Sequence, residues 1–84
     1  MKDQRGLYYH PNINNKKIRV YVRKTIMGIE FRLWNTDDPQ LWKDHGWVPY
    51  DAIAQAKTMY RSKSFNPEDI YNLDLATELI ADKN

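Results

Sequence analysis

The chain has 84 residues, which is the length of one small domain. It contains no cysteine, and this excludes a disulfide framework, a thiolate nucleophile and a cysteine-based zinc site. Hydrophobic residues make up 42% of the chain and aromatic residues 13%, which is enough for a folded core. Because no apolar run is long enough to cross a membrane or to act as a secretory signal, we expect a cytoplasmic domain with no membrane partner.

The net charge of +2 hides an uneven distribution of charge along the chain. Residues 1–36 carry eight basic side chains and two acidic ones, whereas residues 37–84 carry five basic and nine acidic ones. This asymmetry is typical of a domain with a basic binding surface. It is equally consistent with strands that carry Arg and Lys and with helix N-termini that carry Asp and Glu, as the helix dipole favours.

The first predicted elements are β-strands. Residues 17–24 alternate strictly between apolar and polar side chains, and the alternation resumes over residues 29–34. The apolar positions on the shared face are Ile18, Val20, Val22, Ile29, Phe31 and Leu33. We expect an antiparallel hairpin in which Val22 faces Ile29, with a four-residue loop over residues 24–27. Residues 7–10, which end at Pro11, predict a shorter third strand.

Beyond the hairpin, the pattern becomes helical. Asp38 as N-cap and Pro39 as the first helical residue predict a short helix over residues 40–44, which Gly46 ends. Pro49 predicts the start of a second helix. The apolar stripe of that helix consists of Ile53, Ala56 and Tyr60.

A third helix is predicted near the end of the chain. The cap, proline and acids of residues 66–69 indicate one start for it. Alternatively, Asp74 caps a shorter helix over residues 75–82. Strands followed by helices, without βαβ alternation, indicate an α+β fold in one domain over residues 1–84. We expect a small antiparallel meander of two or three strands, packed against two or three C-terminal helices.

The face of the hairpin opposite the apolar set combines guanidinium groups with aromatic rings. The candidate binding residues on this face are Arg19, Tyr21, Arg23, Arg32 and Trp34. In the expected register Arg19 faces Arg32, and the two cations repel unless an anion joins them. Guanidinium groups on phosphates and rings on bases hold single-stranded nucleic acid. The alternatives are a solvated face whose arginine stems cover the rings, or a face covered by a later helix.

Residues 34–50 contain three tryptophans and a tyrosine. With Asp37 and Asp38, these rings could form a pocket for a cation or a peptide. The other interpretation assigns Trp42 and Trp47 to core packing, because a small domain with few leucines needs large rings.

Motifs for catalysis and metal binding are absent from the sequence. His10 and His45 lack the spacing of metal ligands, and neither a nucleophile elbow nor a phosphate-binding glycine loop occurs. We therefore expect no metal, no cofactor and no catalytic residue.

The sequence predicts a non-catalytic binding or adaptor module that acts through a protein partner. The alternative is a nucleic-acid-binding domain that uses the same basic and aromatic face. The charge asymmetry also allows a homo-oligomer, in which the basic part of one copy meets the acidic part of another.

Overall fold

The computed structural model describes residues 2–59 and 70–81, with side chains for residues 2–55 and 70–81. Its strands are β1 (Lys2–Asp3), β2 (Gly6–Tyr9), β3 (Ile18–Thr25), β4 (Gly28–Asn35) and β5 (Val48–Pro49). Its helices are α1 (Gln40–Asp44), α2 (Tyr50–Met59) and α3 (Leu73–Ala81). The chain thus has the α+β fold that the order of its sequence patterns predicts.

The five strands form one antiparallel sheet in the order β1-β2-β3-β4-β5. The expected number of two or three strands is therefore too low. The third strand is present as β2, whereas β1 and β5 extend the sheet at its two edges. Each of these edge strands has two residues, which is too short for an alternating pattern to be recognised.

The register of the β3–β4 hairpin differs by two residues from the prediction. Val22 lies opposite Phe31 rather than Ile29, and Thr25 lies opposite Gly28, so that only Ile26 and Met27 connect the strands. A shift of two residues leaves every side chain on its face, so alternation cannot distinguish the two registers. The tight connection is favoured by the positive φ of Gly28, 110°. It is also stabilised by the Thr25 hydroxyl, which accepts a hydrogen bond from the Met27 amide at 3.1 Å.

The main core lies on one face of the sheet, against α2 and α3. Its buried members are Tyr9, Val20, Val22, Phe31, Ile53 and Ala76. Tyr9 joins β2 to the start of α3, because its hydroxyl donates to the carbonyl of Ile70 and accepts from the amide of Asn72. Burial raises the pKa of Tyr9 to about 12, despite the hydrogen bond from the Asn72 amide.

The helix starts differ in detail from the predicted caps. α1 has the predicted bounds, but Pro39 is its N-cap, and Asp38 accepts the amide of Leu41 through its carbonyl rather than its carboxylate. α2 begins at Tyr50, directly after Pro49 as expected, and Ile53 from its predicted stripe is buried. The side chain of Ala56, and Tyr60 itself, lie outside the described residues.

The start of α3 corrects a second cap prediction. The side chain of Asn72 accepts a hydrogen bond from the Leu75 amide at 3.0 Å, so the cap is Asn72 and not Asp74. The alternative start at residues 66–69 lies outside the described residues. In the parts of the chain that the structure describes, no helix is long and apolar enough to span a membrane.

Candidate functional site

The face of the sheet opposite the core is covered by aromatic rings. Trp42 of α1 packs edge-on against Tyr21 of β3, with ring centroids 5.1 Å apart. Trp34 and Trp47 make similar edge-on contacts with Trp42, at 6.2 Å and 6.1 Å. We call Tyr21, Trp34, Trp42 and Trp47 the aromatic layer. Of the alternatives that the sequence leaves open, the structure therefore has a later helix, α1, over this face.

Arginine side chains lie over the rings of this face. The distances from guanidinium carbon to ring centroid are 4.1 Å for Arg5 on Trp34, 3.9 Å for Arg32 on Trp42, 4.3 Å for Arg23 on Trp47 and 4.8 Å for Arg19 on Tyr8. Such cation–π contacts contribute about 0.5–1 kcal/mol each at exposed sites. Arg23 and Arg32 of the predicted face, together with Arg5, therefore also stabilise the aromatic layer beneath them.

Arg19 does not face Arg32, as the expected register required. Arg19 lies opposite Trp34, and Arg32 lies opposite Tyr21. The actual register differs by two residues from the expected one, so the guanidinium groups of Arg19 and Arg32 do not face each other. An anion between them is therefore not needed. This correction removes one of the sequence arguments for an anionic ligand on the middle of the sheet.

Tyr21 is buried and belongs to a polar cluster with β1. Its hydroxyl donates to the carboxylate of Asp3, which also accepts from the Arg19 guanidinium at 3.1 Å. Burial acts to raise the pKa of Asp3, but the hydrogen bonds from the Tyr21 hydroxyl and the Arg5 amide and the charge of Arg19 together lower this pKa below its ordinary value. Burial and the hydrogen bond to Asp3 raise the pKa of Tyr21. Tyr21 therefore fixes β1 to the sheet and presents no surface to a ligand.

Arg32 fastens α1 to the sheet. Its Nε donates to the carbonyl of His45 at 3.1 Å, and its Nη2 donates to the carbonyl of Trp42. Trp42 lies in the last turn of α1 and His45 is the C-cap, so the guanidinium is at the helix end where the dipole also favours a cation. The guanidinium of Arg32 is thus already used within the fold.

The remaining predicted site residues are exposed to different degrees. Trp34 is half-buried under Arg5, and the Arg19 side chain is 33% exposed beside Asp3. Arg23 is the most exposed of the five, at 47% for its side chain, and is paired with Glu30 at 2.6 Å. Of the candidate residues on this face, Arg23 alone lines a basic cleft at the corner of the sheet.

A cleft of about 480 Å³ opens at the corner of the sheet where β2 begins. The walls of this basic cleft carry four cations, Lys2, Arg5, Arg23 and Lys24, and two indole rings, Trp42 and Trp47. Gly6, Leu7, Val22 and Ile80 complete the lining. None of the described residues that line the cleft is acidic.

The positive charge of the basic cleft is only partly compensated. All four cations are exposed, and Arg23 has Glu30 as its ion-pair partner. Among the described side chains, residues 2–55 and 70–81, no carboxylate forms an ion pair with Lys2, Arg5 or Lys24, although the charge of Arg5 contributes to lowering the pKa of Asp3. Concave walls of one charge sign raise the local concentration of ligands of the opposite sign.

Sequence reasoning missed most of the basic cleft. Lys2 and Arg5 precede the first predicted strand, and alternation placed Lys24 in a loop. Trp42 and Trp47 were assigned to the core or to a separate pocket. The excess of basic residues over residues 1–36 was the one signal that included Lys2, Arg5 and Lys24.

The described residues that line the cleft include no histidine, aspartate or glutamate that could bind a metal. Among the described residues, no group of three or more His, Asp or Glu side chains could hold a metal ion.

A scan against models of known protein families found no match for this chain, and neither did searches of curated proteins and of solved structures. Function must therefore be inferred from the chain itself, a small α+β domain with a cationic cleft that two indole rings border.

Proposed function

We propose that this domain is a non-catalytic binding module that holds an acidic segment of a partner protein in the basic cleft. The observation that carries the proposal is the concentration of four exposed cations around one concave site, with no acid among its described lining residues. Aspartate and glutamate side chains form charge-assisted hydrogen bonds with guanidinium and ammonium groups. Complementary charges also accelerate the encounter between partners and select against other partners.

The chemistry of the cleft favours binding over catalysis. Its described lining consists of cationic, aromatic, aliphatic and glycine residues, without a hydroxyl or imidazole group or a carboxylate. Trp42 and Trp47 are half-buried, and the parts of their rings that Arg32 and Arg23 leave uncovered supply rigid surface against which a partner side chain can pack. Such a mixture of rings and arginines is typical of the centres of protein interfaces.

A second candidate function is the binding of single-stranded nucleic acid, which the two indole rings of the cleft favour. A base stacked on such a ring contributes about 1–3 kcal/mol. The rings of the sheet face are less suited to stacking, because Tyr21 is buried and Arg5 covers Trp34. Trp42 and Trp47 are inclined at 73° to each other and so do not form parallel platforms for successive bases. We therefore place the protein partner first.

The two candidates are separated by direct binding measurements. A fluorescein-labelled decapeptide rich in glutamate and an oligothymidylate of equal charge are titrated with the domain, and fluorescence anisotropy is recorded at low and at physiological ionic strength. We expect the peptide to bind more tightly than the oligonucleotide, with an affinity that falls as salt rises. Tighter binding of the oligonucleotide would favour the second candidate, and no binding of either probe would exclude both.

A matched pair of variants locates the binding site. Lys24→Glu reverses one charge of the cleft and should weaken peptide binding at least about tenfold, since an attraction becomes a repulsion. Lys16→Glu makes the same change in the exposed loop before β3, at the opposite end of the sheet. It should leave the affinity nearly unchanged. Equal effects of the two variants would show that net charge, and not the cleft, determines binding.

A further inference from the structure

Within the part of the chain that the structure describes, one stretch of β3 has a strand on only one side. β2 pairs with β3 as far as Leu7 opposite Val22, whereas β4 follows β3 to Thr25 opposite Gly28. Among the described residues, the backbone of residues 23–25 thus has no strand partner on the β2 side. Lys24 is the one of the three that directs its amide and carbonyl to this side, because Arg23 and Thr25 lie at the hydrogen-bonded positions opposite β4. β2 begins beside this edge at Gly6, whose φ is 125°, and the turn of Gln4 and Arg5 joins it there to β1. We call residues 23–25 the free edge of β3.

The free edge opens into the basic cleft. Arg23 and Lys24 of the edge line the cleft, together with Gly6 and Leu7 from the strand that ends beside it. An unpaired strand edge presents amide and carbonyl groups to which an extended segment can add as a new strand. The cleft therefore combines an open strand edge, to which another strand can hydrogen-bond, with four surrounding cationic side chains.

The four cations are divided equally between the two faces of the sheet. Arg23 lies over Trp47, and Arg5 lies over Trp34 and Trp42, so both belong to the aromatic face. Lys24 follows Val22 at a spacing of two and therefore points to the core face. Lys2 is directly opposite Leu7, which packs against the core, and so shares that face.

We infer that the acidic segment binds as an added β-strand along the free edge of β3 and carries two consecutive acidic residues. This inference rests on the proposed function. Neighbouring residues of a strand point to opposite faces, so one acid of the pair meets Arg5 and Arg23, and the next meets Lys2 and Lys24. Acids at every second position would meet only one of these pairs.

The charge of the free edge also argues against pairing with the same edge of a second copy. Two copies of the free edge would place Arg23 and Lys24 of each copy against cations, and cationic edges repel one another. An acidic strand meets attraction at the same positions. The lysine at the edge thus blocks pairing between copies and favours an anionic segment.

The test compares hexapeptides of valine and threonine that carry two glutamates, with affinities measured by isothermal titration calorimetry. In one peptide the glutamates are consecutive and central, and in another they are separated by one residue. We expect the consecutive pair to bind several-fold more tightly. Backbone N-methylation of the consecutive-pair peptide at one set of alternate positions should weaken binding about tenfold, because it removes the amides that face β3. Methylation at the other set should have little effect.

A second readout follows the domain itself. Hydrogen exchange of the Lys24 amide should slow in the complex with the consecutive-pair peptide, whereas the amides of Arg23 and Thr25 already face β4 and should change little. Equal affinity of the two spacings, or indifference to methylation at both sets of positions, would overturn strand addition while leaving the acidic-segment proposal in place. If no acidic peptide binds and Lys24→Glu has no effect on any probe, both proposals are overturned.

Discussion

The guanidinium of Arg32 lies 3.9 Å from the ring centroid of Trp42 and donates a hydrogen bond to the backbone carbonyl of the same residue. One side chain of β4 thus holds both the ring and the backbone of α1. This contact converts the polar face of the sheet into a second packed layer and places Trp42 beside the basic cleft.

Replacing Arg32 should destabilise the domain. Arg32→Ala removes two hydrogen bonds to carbonyls and one cation–π contact, and we expect the free energy of unfolding to fall by about 2 kcal/mol. Arg32→Lys should recover only part of this loss, because an ammonium group lacks the planar fork of donors. Urea unfolding followed by tryptophan fluorescence measures both variants. Lys43→Ala, on the exposed side of α1, is the control, and an equal loss there would contradict the role assigned to Arg32.

The hydroxyl of Tyr9 should contribute to stability through α3. Tyr9→Phe leaves the carbonyl of Ile70 and the amide of Asn72 without the partner they have in the structure, and we expect a loss of about 1–3 kcal/mol. Tyr8→Phe, whose hydroxyl makes no hydrogen bond with the described residues, should cost less. Thermal unfolding by circular dichroism compares the two variants.

Tyr9 should also make the free energy of unfolding of the domain fall at alkaline pH. Its pKa rises from 10.0 to about 12 on folding, so above pH 10 the unfolded chain loses this proton first. Stability contributed by the neutral phenol is complete below pH 10 and falls as the pH rises toward about 12. The free energy of unfolding of Tyr9→Phe should therefore decline less over this window than that of the wild type. Parallel curves would contradict the burial of this hydroxyl.

Asp3 should make the free energy of unfolding of the domain fall at acidic pH. Because folding lowers its pKa below the ordinary value of 3.8, its stabilising contribution is present above that pH and is lost as the pH falls through the folded pKa. Asp3→Asn should be less stable than the wild type at neutral pH, and the difference should shrink on acidification. Asp37→Asn is the control, since the Asp37–Lys17 pair is about two-thirds exposed and contributes little.

The alternation of apolar and polar residues was the main signal from which the sequence predicted the fold. It identified β3 and β4 and the division of their side chains between two faces, because eight-residue strands carry a clear period of two. It could not fix the register, since a shift of two residues preserves the faces. It also could not detect β1 or β5, which are too short to show a period.

The candidate site was harder to predict because it is assembled from distant segments. The pattern correctly placed Arg23 on the face opposite the core, but nothing local to β3 indicates that α1 returns to cover Tyr21 and Trp34. The basic cleft joins Lys2 and residues 5–7 to residues 22–24, to Trp42 in α1 and Trp47 after it, and to Ile80 of α3. Its position depends on where β2 stops relative to β3, and that boundary is a property of the sheet rather than of either strand.

A charge exchange between domain and peptide tests the central claim most directly. The hexapeptide with consecutive glutamates and its counterpart with one glutamate replaced by lysine are titrated against the wild type and against Lys24→Glu. We predict that the wild type prefers the all-glutamate peptide and that Lys24→Glu prefers the peptide with lysine at the position that meets residue 24. Unchanged preference for the all-glutamate peptide in Lys24→Glu would contradict the binding of an acidic segment in the basic cleft.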